Sequence, residues 1–465
     1  MRHESPGSEA VPSEPATIMA PSLRWLTVGM VALIVIAAFE SLAVTTVMPG
    51  IAAELDGEEL FALAFAVPFA AGVVGMVVIG NWTDRRGPVV PLIVAGSVFA
   101  VGLVIAGLAP TMEVFVLGRL VHGLGGAAVT VPIYVIVARV YPPTLHPRIF
   151  AAFAAAWVVP SIIGPAIAGA IADAEGIGWR WVFLGVLVIT VPAAFLMAAP
   201  LFRARDAVAG DPSVPWSRSR FGWALVAAVA ALGVSLSEEL AAPWRWVVAL
   251  ASIALVVVAA RPLLPAGALR VARGLPAAVV LRMLVAGAFF ATELYLPYLL
   301  QSEYELTPAL SGVVLTGAGI SWAAGSWLQG RLGARLTNAR AVAIGTATLL
   351  AALVAVLATA AFALPVWCAF AAWTVAGAGM GLMYPRFTVS VLELSPVSAQ
   401  GFNSSALTIG ESLGVSVSIS VTALVAGALA FDAFTAEFAV TVLVALVALL
   451  LAARMRPAAS ASDRG

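Results

Sequence analysis

A chain of 465 residues that is 62% hydrophobic and only 10% charged, with a mean hydropathy of +1.05, lies far outside the range of soluble domains and reads as a polytopic membrane protein. Its one cysteine, Cys368, excludes an internal disulfide, a cysteine-rich metal site and a redox pair, and three scattered histidines argue against a histidine metal centre. The formal net charge of zero says nothing about partners, because in a membrane protein the distribution of charge matters more than its sum.

Residues 1–22, rich in Pro, Ser and Glu and without the apolar core of a signal peptide, read as a disordered cytoplasmic tail. A hydrocarbon crossing needs about 20 residues, which marks spans near 25–48, 60–80, 89–109, 113–138, 149–172 and 179–200. These form an N-terminal six-helix bundle over 23–202. A polar linker, 203–220, follows, then two additional membrane helices within 221–264, near 221–240 and 244–262. The last group, 265–454, holds spans near 275–301, 308–330, 340–362, 365–391, 400–429 and 434–453, and residues 455–465 form a second cytoplasmic tail. The expected fold is all-α: two six-helix bundles plus two extra central helices, about fourteen membrane helices in total.

Charge tests this count independently, because cytoplasmic loops collect basic residues. With the N-terminus inside, the inner connections receive Arg85 and Arg86, Arg139 and Arg148, Arg203 to Arg220, Arg261 to Arg282, Arg331 to Arg340, Arg386 and the C-terminal arginines, whereas the outer ones receive only Arg180 and Arg245. The outer connections carry acids instead, among them Glu54, Asp56, Glu58, Glu59, Glu113, Glu303, Glu305 and Glu437. A count wrong by one span would mix the two sets, so both termini are expected on the cytoplasmic side.

Gly80-Asn81-Trp82-Thr83-Asp84-Arg85-Arg86-Gly87 stands out as a charged, glycine-bounded turn between two apolar runs. Gly330-Arg331-Leu332-Gly333-Ala334-Arg335 echoes it after the second span of the last group, with Ala334 at the aspartate position. Internal repeats of this kind place a substrate site between the halves, near the bilayer midplane. Glycine, three residues, aspartate, arginine and a later glycine resemble the loop between helices 2 and 3 of major facilitator superfamily transporters. Arg119-Leu120-Val121-His122-Gly123-Leu124-Gly125-Gly126 resembles that superfamily's fourth-helix motif. Pro160-Ser161-Ile162-Ile163-Gly164-Pro165-Ala166-Ile167-Ala168-Gly169 is similar to the antiporter motif of its proton-driven exporters, with Pro160 and Ala168 in place of glycines. Trp179 to Leu184 and Arg261 to Pro265 look like the fourteen-helix drug:proton antiporter family. The resemblance implies a conformational gate at Gly80, Asp84, Arg85 and Gly87, where Asp84 accepts hydrogen bonds from a helix N-terminus of the second half and from an arginine. It also implies that Gly164, Pro165 and Gly169 of this motif helix, whose motif opens at Pro160, bend helix 5 and seal the halves together in one state.

Few ionisable residues lie within the spans: Glu40, Arg119, Glu293 and Glu411, with His122 as a fifth. Each is expensive in hydrocarbon and persists only facing a cavity, beside a partner or neutralised. Glu40 matches an acidic position of the family and is read as a proton site, with Arg119 as a partner that tunes when the proton leaves. Arg119 is expected in the cavity rather than snorkelling, and His122 as a hydrogen-bonded packing residue more than a relay. Glu293, in a run with Phe289, Phe290, Tyr295 and Tyr298, is a candidate for protons or a cationic drug. Glu411, between Gly410 and Gly414, has no basic partner evident in the sequence and is a second candidate proton or cavity residue. Proton coupling is thus assigned to Glu40, Arg119, Glu293 and Glu411, and the substrate cavity to Phe289, Phe290, Tyr295 and His122.

The expected function is proton-coupled efflux of amphipathic or drug-like small molecules by alternating access in a bacterial plasma membrane. Export of a lipid, siderophore or endogenous metabolite by the same fold, or uncoupled facilitation, is the alternative. No lysine exists to build an ATP-binding loop, and no catalytic cluster supports an enzyme. No cofactor, metal or nucleic acid is expected. The partners are the bilayer, protons and a small molecule, and the protein is expected to be a monomer.

Overall fold

The computed structural model describes residues 17–142, 145–174, 176–206, 208–237, 240–241, 243–332, 335–395, 400–427 and 433–456. Most of the two terminal tails, and Gly333 and Ala334 of the second charged motif, lie outside the described residues. Among the described residues the chain forms fourteen α-helices. The first group is α1 (Arg24–Glu54), α2 (Phe61–Arg86), α3 (Val89–Gly107), α4 (Met112–Val140), α5 (His146–Asp173) and α6 (Arg180–Arg203). Next come α7 (Arg218–Leu236) and α8 (Trp244–Ala260), then α9 (Leu275–Ser302), α10 (Pro308–Leu332), α11 (Asn338–Ala361), α12 (Val366–Leu394), α13 (Gln400–Ala426) and α14 (Ala433–Leu451).

Ala, Leu and Val on all sides explain this choice: a segment that is apolar all round satisfies its own backbone as a helix and buries its side chains in lipid or protein. Among the described residues, twelve helices are long and apolar enough to cross a membrane. The expected helix near 244–262 is α8, at 17 residues shorter than that, and α5 reaches that character among the described residues only over Ile163–Asp173. Prolines 49, 68, 132, 160, 165, 192, 200, 297 and 385 all lie inside helices. Neighbouring helices make this tolerable by covering the freed carbonyls.

One expectation fails at a boundary. Gly80 to Arg86 is not a turn but the last stretch of α2; the break is confined to Gly87, whose φ of 80° closes the helix with its N–H on Thr83 O at 2.8 Å, and to Pro88. Asn81 to Asp84 are weak helix formers but do not break a helix, so α2 extends through them and the two arginines until a residue with no Cβ permits the reversal.

The two halves repeat one packing scheme. In the first, α4 is clamped between α2 and α3, and α1 packs on α5 and α6; in the second, α12 is clamped between α10 and α11, and α9 packs on α13 and α14. Small residues set these approaches. A Cβ on Gly118 would come within 2.5 Å of Ala106 N, and Gly345 and Gly379 lie against each other's carbonyls in the equivalent place of the second half. The halves meet along α5 with α10 and α2 with α13, and α7 lies over the second of these seams with α8 packed on it.

Candidate functional site

The contacts between halves gather toward the end of the bundle that carries the α1–α2 connection. Gly312 on α10 presses on the Pro165 carbonyl of α5, and Gly169 on Ala309, with a Cβ on either glycine falling 2.5 Å from its neighbour. Gln301 Nε2 donates to Thr46 O at 3.3 Å, the Phe61 ring lies 5.1 Å from Tyr298 and 6.1 Å from Tyr295, and Ser416 Oγ donates to Ala66 O at 3.2 Å. Nearer the middle, Phe69 of α2 faces Phe290 of α9 at 6.3 Å.

Within the first half, Arg119 on α4 and Glu40 on α1 meet with NH1 and Oε1 2.5 Å apart, both side chains 5% exposed. The arginine does not snorkel: its Nε donates to Ala64 O at 3.4 Å, and the guanidinium lies 6.0 Å from the Phe65 ring. His122, one turn along α4, places Nε2 3.0 Å from Glu40 Oε2 and Nδ1 3.5 Å from Arg119 NH1. A guanidinium only donates, so Nδ1 is the acceptor in that contact. The Phe99 ring, 4.9 Å away, closes the site, and Gly102 admits the His122 backbone where a Cβ would collide.

A second charged cluster lies in the other half. Arg282 on α9 reaches Glu411 on α13 through Nε at 2.8 Å and NH2 at 2.7 Å, and Thr388 on α12 through NH1 at 3.1 Å. The guanidinium lies 4.2 Å from the Tyr384 ring centroid, and the Tyr384 hydroxyl donates to Glu411 Oε1. The Arg282 and Glu411 side chains are 13% and 18% exposed, and Tyr134 of α4 is within their electrostatic reach across the gap between halves. Glu293, 7% exposed, has among the described residues no hydrogen-bond or ion-pair partner.

A model of the Major Facilitator Superfamily matches residues 30–419. The chain belongs to the major facilitator superfamily. Among its relatives is Multidrug resistance protein 3 of Bacillus subtilis, 24% identical over 330 residues, which cover 68% of this chain and 62% of that protein. The Multidrug efflux pump SdrM of Staphylococcus aureus is 23% identical over 378 residues, 79% of this chain and 81% of the pump. The chain thus spans less than two thirds of the length of the Bacillus relative. In fold it is similar to a D-xylose-proton symporter, with a TM-score of 0.67 at 13% identity over 93% of this chain and 98% of the symporter.

In this major facilitator protein, several predicted residues occupy places the sequence could not give. Glu411 has a basic partner after all: Arg282, counted with an inner connection, lies inside α9 and is buried against it. The missed signal was depth, since both residues lie two to three turns from the same end of the bundle. Phe289, 2% exposed, is packed among Trp373 at 4.6 Å, Trp322 and Phe290, so the open aromatic face belongs to the half-buried Phe290 and Trp322 rather than to Phe289; Tyr295, 3% exposed, packs on Phe61. Glu54, placed among loop acids, is the last residue of α1 and holds Arg180 NH1 at 2.5 Å and Trp179 Nε1 at 2.9 Å; Glu437 is likewise inside α14 and buried.

Asp84 is exposed, with Arg139 and Arg220 in electrostatic reach, and its backbone carbonyl accepts the N–H of Asp211 at 2.8 Å. The neighbour of the Gly80–Gly87 stretch is thus the 208–217 linker rather than a second-half helix. Arg85 donates to Val214 O, Asn81 exchanges hydrogen bonds with Pro215 O and Ser217 N, and Arg139 holds the Val208 and Ala209 carbonyls. Ser213 donates twice to Asp211 Oδ1, which shapes the linker turn and holds that carboxyl below the ordinary aspartate range. Pro160 and Gly164 lie in mid α5, Gly164 against Phe39 of α1; the side chains of Ser161 and Ile162 lie outside the described residues.

Proposed function

We propose that the protein exports amphipathic small molecules across a bacterial plasma membrane in exchange for protons, with Glu40 as the coupling carboxylate. The observation that carries this reading is the buried Glu40–Arg119–His122 cluster in the membrane-crossing part of the first half. A carboxylate there is tolerable only while its cation stays close, and a proton arriving on Glu40 dissolves that pairing. Glu40 is the carboxylate of this cluster. His122 and Arg119 position it.

Closure at the α1–α2 end corresponds, with the termini cytoplasmic, to a cavity open toward the cytoplasm, the state in which an exporter loads substrate. Energetics are adequate: one charge moved through 100 mV supplies about 2.3 kcal/mol, and about 1.4 kcal/mol is a tenfold ratio, so one proton can concentrate a neutral substrate roughly fifty-fold. The relatives named as multidrug transporters support the substrate class.

The test is substrate-evoked proton movement in liposomes containing the purified protein, with a panel of lipophilic cations and neutral compounds. Proton release on substrate addition, abolished in Glu40→Gln and retained in part in Glu40→Asp, is expected. Transport by the wild type without proton movement would overturn the antiport reading.

A further inference from the structure

Arg282 and Glu293 lie about three helical turns apart on α9, which puts them on one face of the helix, ~16 Å apart along its axis. A chain of ring contacts, passing behind the face through the buried Phe289, joins their levels. Tyr384 covers Arg282, Trp322 meets Tyr384 at 5.1 Å, Phe289 meets Trp322 at 5.4 Å, and Phe290 meets Phe289 at 5.4 Å. Tyr384, Trp322 and Phe290 are half-buried, so part of each remains open, and Phe69 of the first half stands opposite Phe290.

The two ends of this row of rings differ in chemistry. At one end Glu293 is a carboxylate more than nine-tenths buried with no partner among the described residues. Such a group is satisfied by a proton or by a cation, and the adjoining ring faces add attraction for an organic one. At the other end a guanidinium has five N–H groups, and Arg282 engages Glu411 with two nitrogens and Thr388 with a third and has the Tyr384 oxygen in hydrogen-bond reach, leaving one N–H without an acceptor. Its charge is balanced by Glu411, so what it offers is a donor for an oxygen, not a net positive field.

We propose that this row of rings is the substrate-binding stripe, and that its ligand is a long, flat amphipath with a basic nitrogen at one end and an acceptor oxygen, carboxylate or carbonyl, at the other. The nitrogen pairs with Glu293, the apolar body lies on Phe290, Trp322 and Tyr384 against Phe69, and the oxygen takes the remaining N–H of Arg282. The inference rests on the transporter reading but not on proton coupling. A lone organic cation fills half the stripe, and a lone acid is left beside an unpaired Glu293.

Equilibrium binding to the full-length protein in lipid nanodiscs tests it with four synthetic probes sharing one rigid aromatic body. These carry trimethylammonium and carboxylate ends, trimethylammonium and amide ends, trimethylammonium alone, or carboxylate alone. Both two-ended probes are expected to bind at least tenfold tighter than either one-ended probe. Arg282→Gln paired with Glu411→Gln, which leaves no lone buried charge, is expected to erase the advantage of the oxygen, so that the two-ended probes bind no tighter than trimethylammonium alone. Glu293→Gln is expected to erase the advantage of the nitrogen. Equal binding of all probes by the wild type, no binding of any, or a tenfold preference that survives the double substitution would each overturn the proposal. The wild-type comparison stands even if a variant fails to fold. Two-ended selectivity without substrate-evoked proton movement would remove antiport and leave this stripe; proton movement with indifferent binding would do the reverse.

Discussion

At the scale of single residues, the charged groups inside the bundle differ in what supports them. Glu40 has two partners, Glu411 has two, and Glu293 has none among the described residues. Breaking a buried pair from one side costs far more than removing it whole. Arg282→Gln is therefore expected to destabilise the protein by about 3 kcal/mol, and Arg282→Gln with Glu411→Gln by less than about 1 kcal/mol. Melting of the detergent-solubilised protein checks this, since equal losses in the single and double variants would mean that packing, not charge, sets the effect. That Glu40, Arg119, Glu293 and Glu411 lie within spans was legible from the apolar runs alone, whereas Arg282 and Glu437 read as residues of the connections. That Arg282 belongs to Glu411 was not, because the sequence gives the depth of a residue on its own helix but not which neighbour faces it.

At the scale of elements, the end of α2 and the 208–217 linker form one unit. Gly87 holds a φ of 80°, and a Cβ there would lie 2.6 Å from Val208 O, so Gly87→Ala meets both a left-handed backbone and a backbone wall. A loss of about 2 kcal/mol is expected, seen as a lower apparent melting temperature. Gly96→Ala, with open space around its Cβ, is the control and should change little. The glycine spacing in the sequence marked this reversal but placed it seven residues too early, because Asn81 to Arg86 are compatible with helix and only tertiary packing against the linker shows how far α2 runs. Among the other spans the largest departure is at α1, expected to end near 48 and running to Glu54; the rest lie close to the helix ends, since a long apolar run bounded by charge has only one way to cross lipid.

At the scale of the whole molecule, two repeated six-helix halves meet closely at the α1–α2 end, and rocking about that contact is the motion that alternating access needs. Cysteines at Thr46 and Gln301, in a Cys368→Ala background, are expected to cross-link with a short bifunctional reagent and to lower transport more than tenfold. Cross-linking that leaves transport intact would show that this end does not have to open. The sequence by itself determined that the chain is a membrane protein, that it is built of long apolar helices and that it repeats, because each follows from local hydropathy and backbone satisfaction. Only the tertiary structure decided which carboxylates are paired, which rings stay partly open and what covers the charged motif after α2. Those depend on contacts between residues far apart in the chain, and helix rotation and packing, which fix such contacts, leave no local trace in so uniformly apolar a sequence.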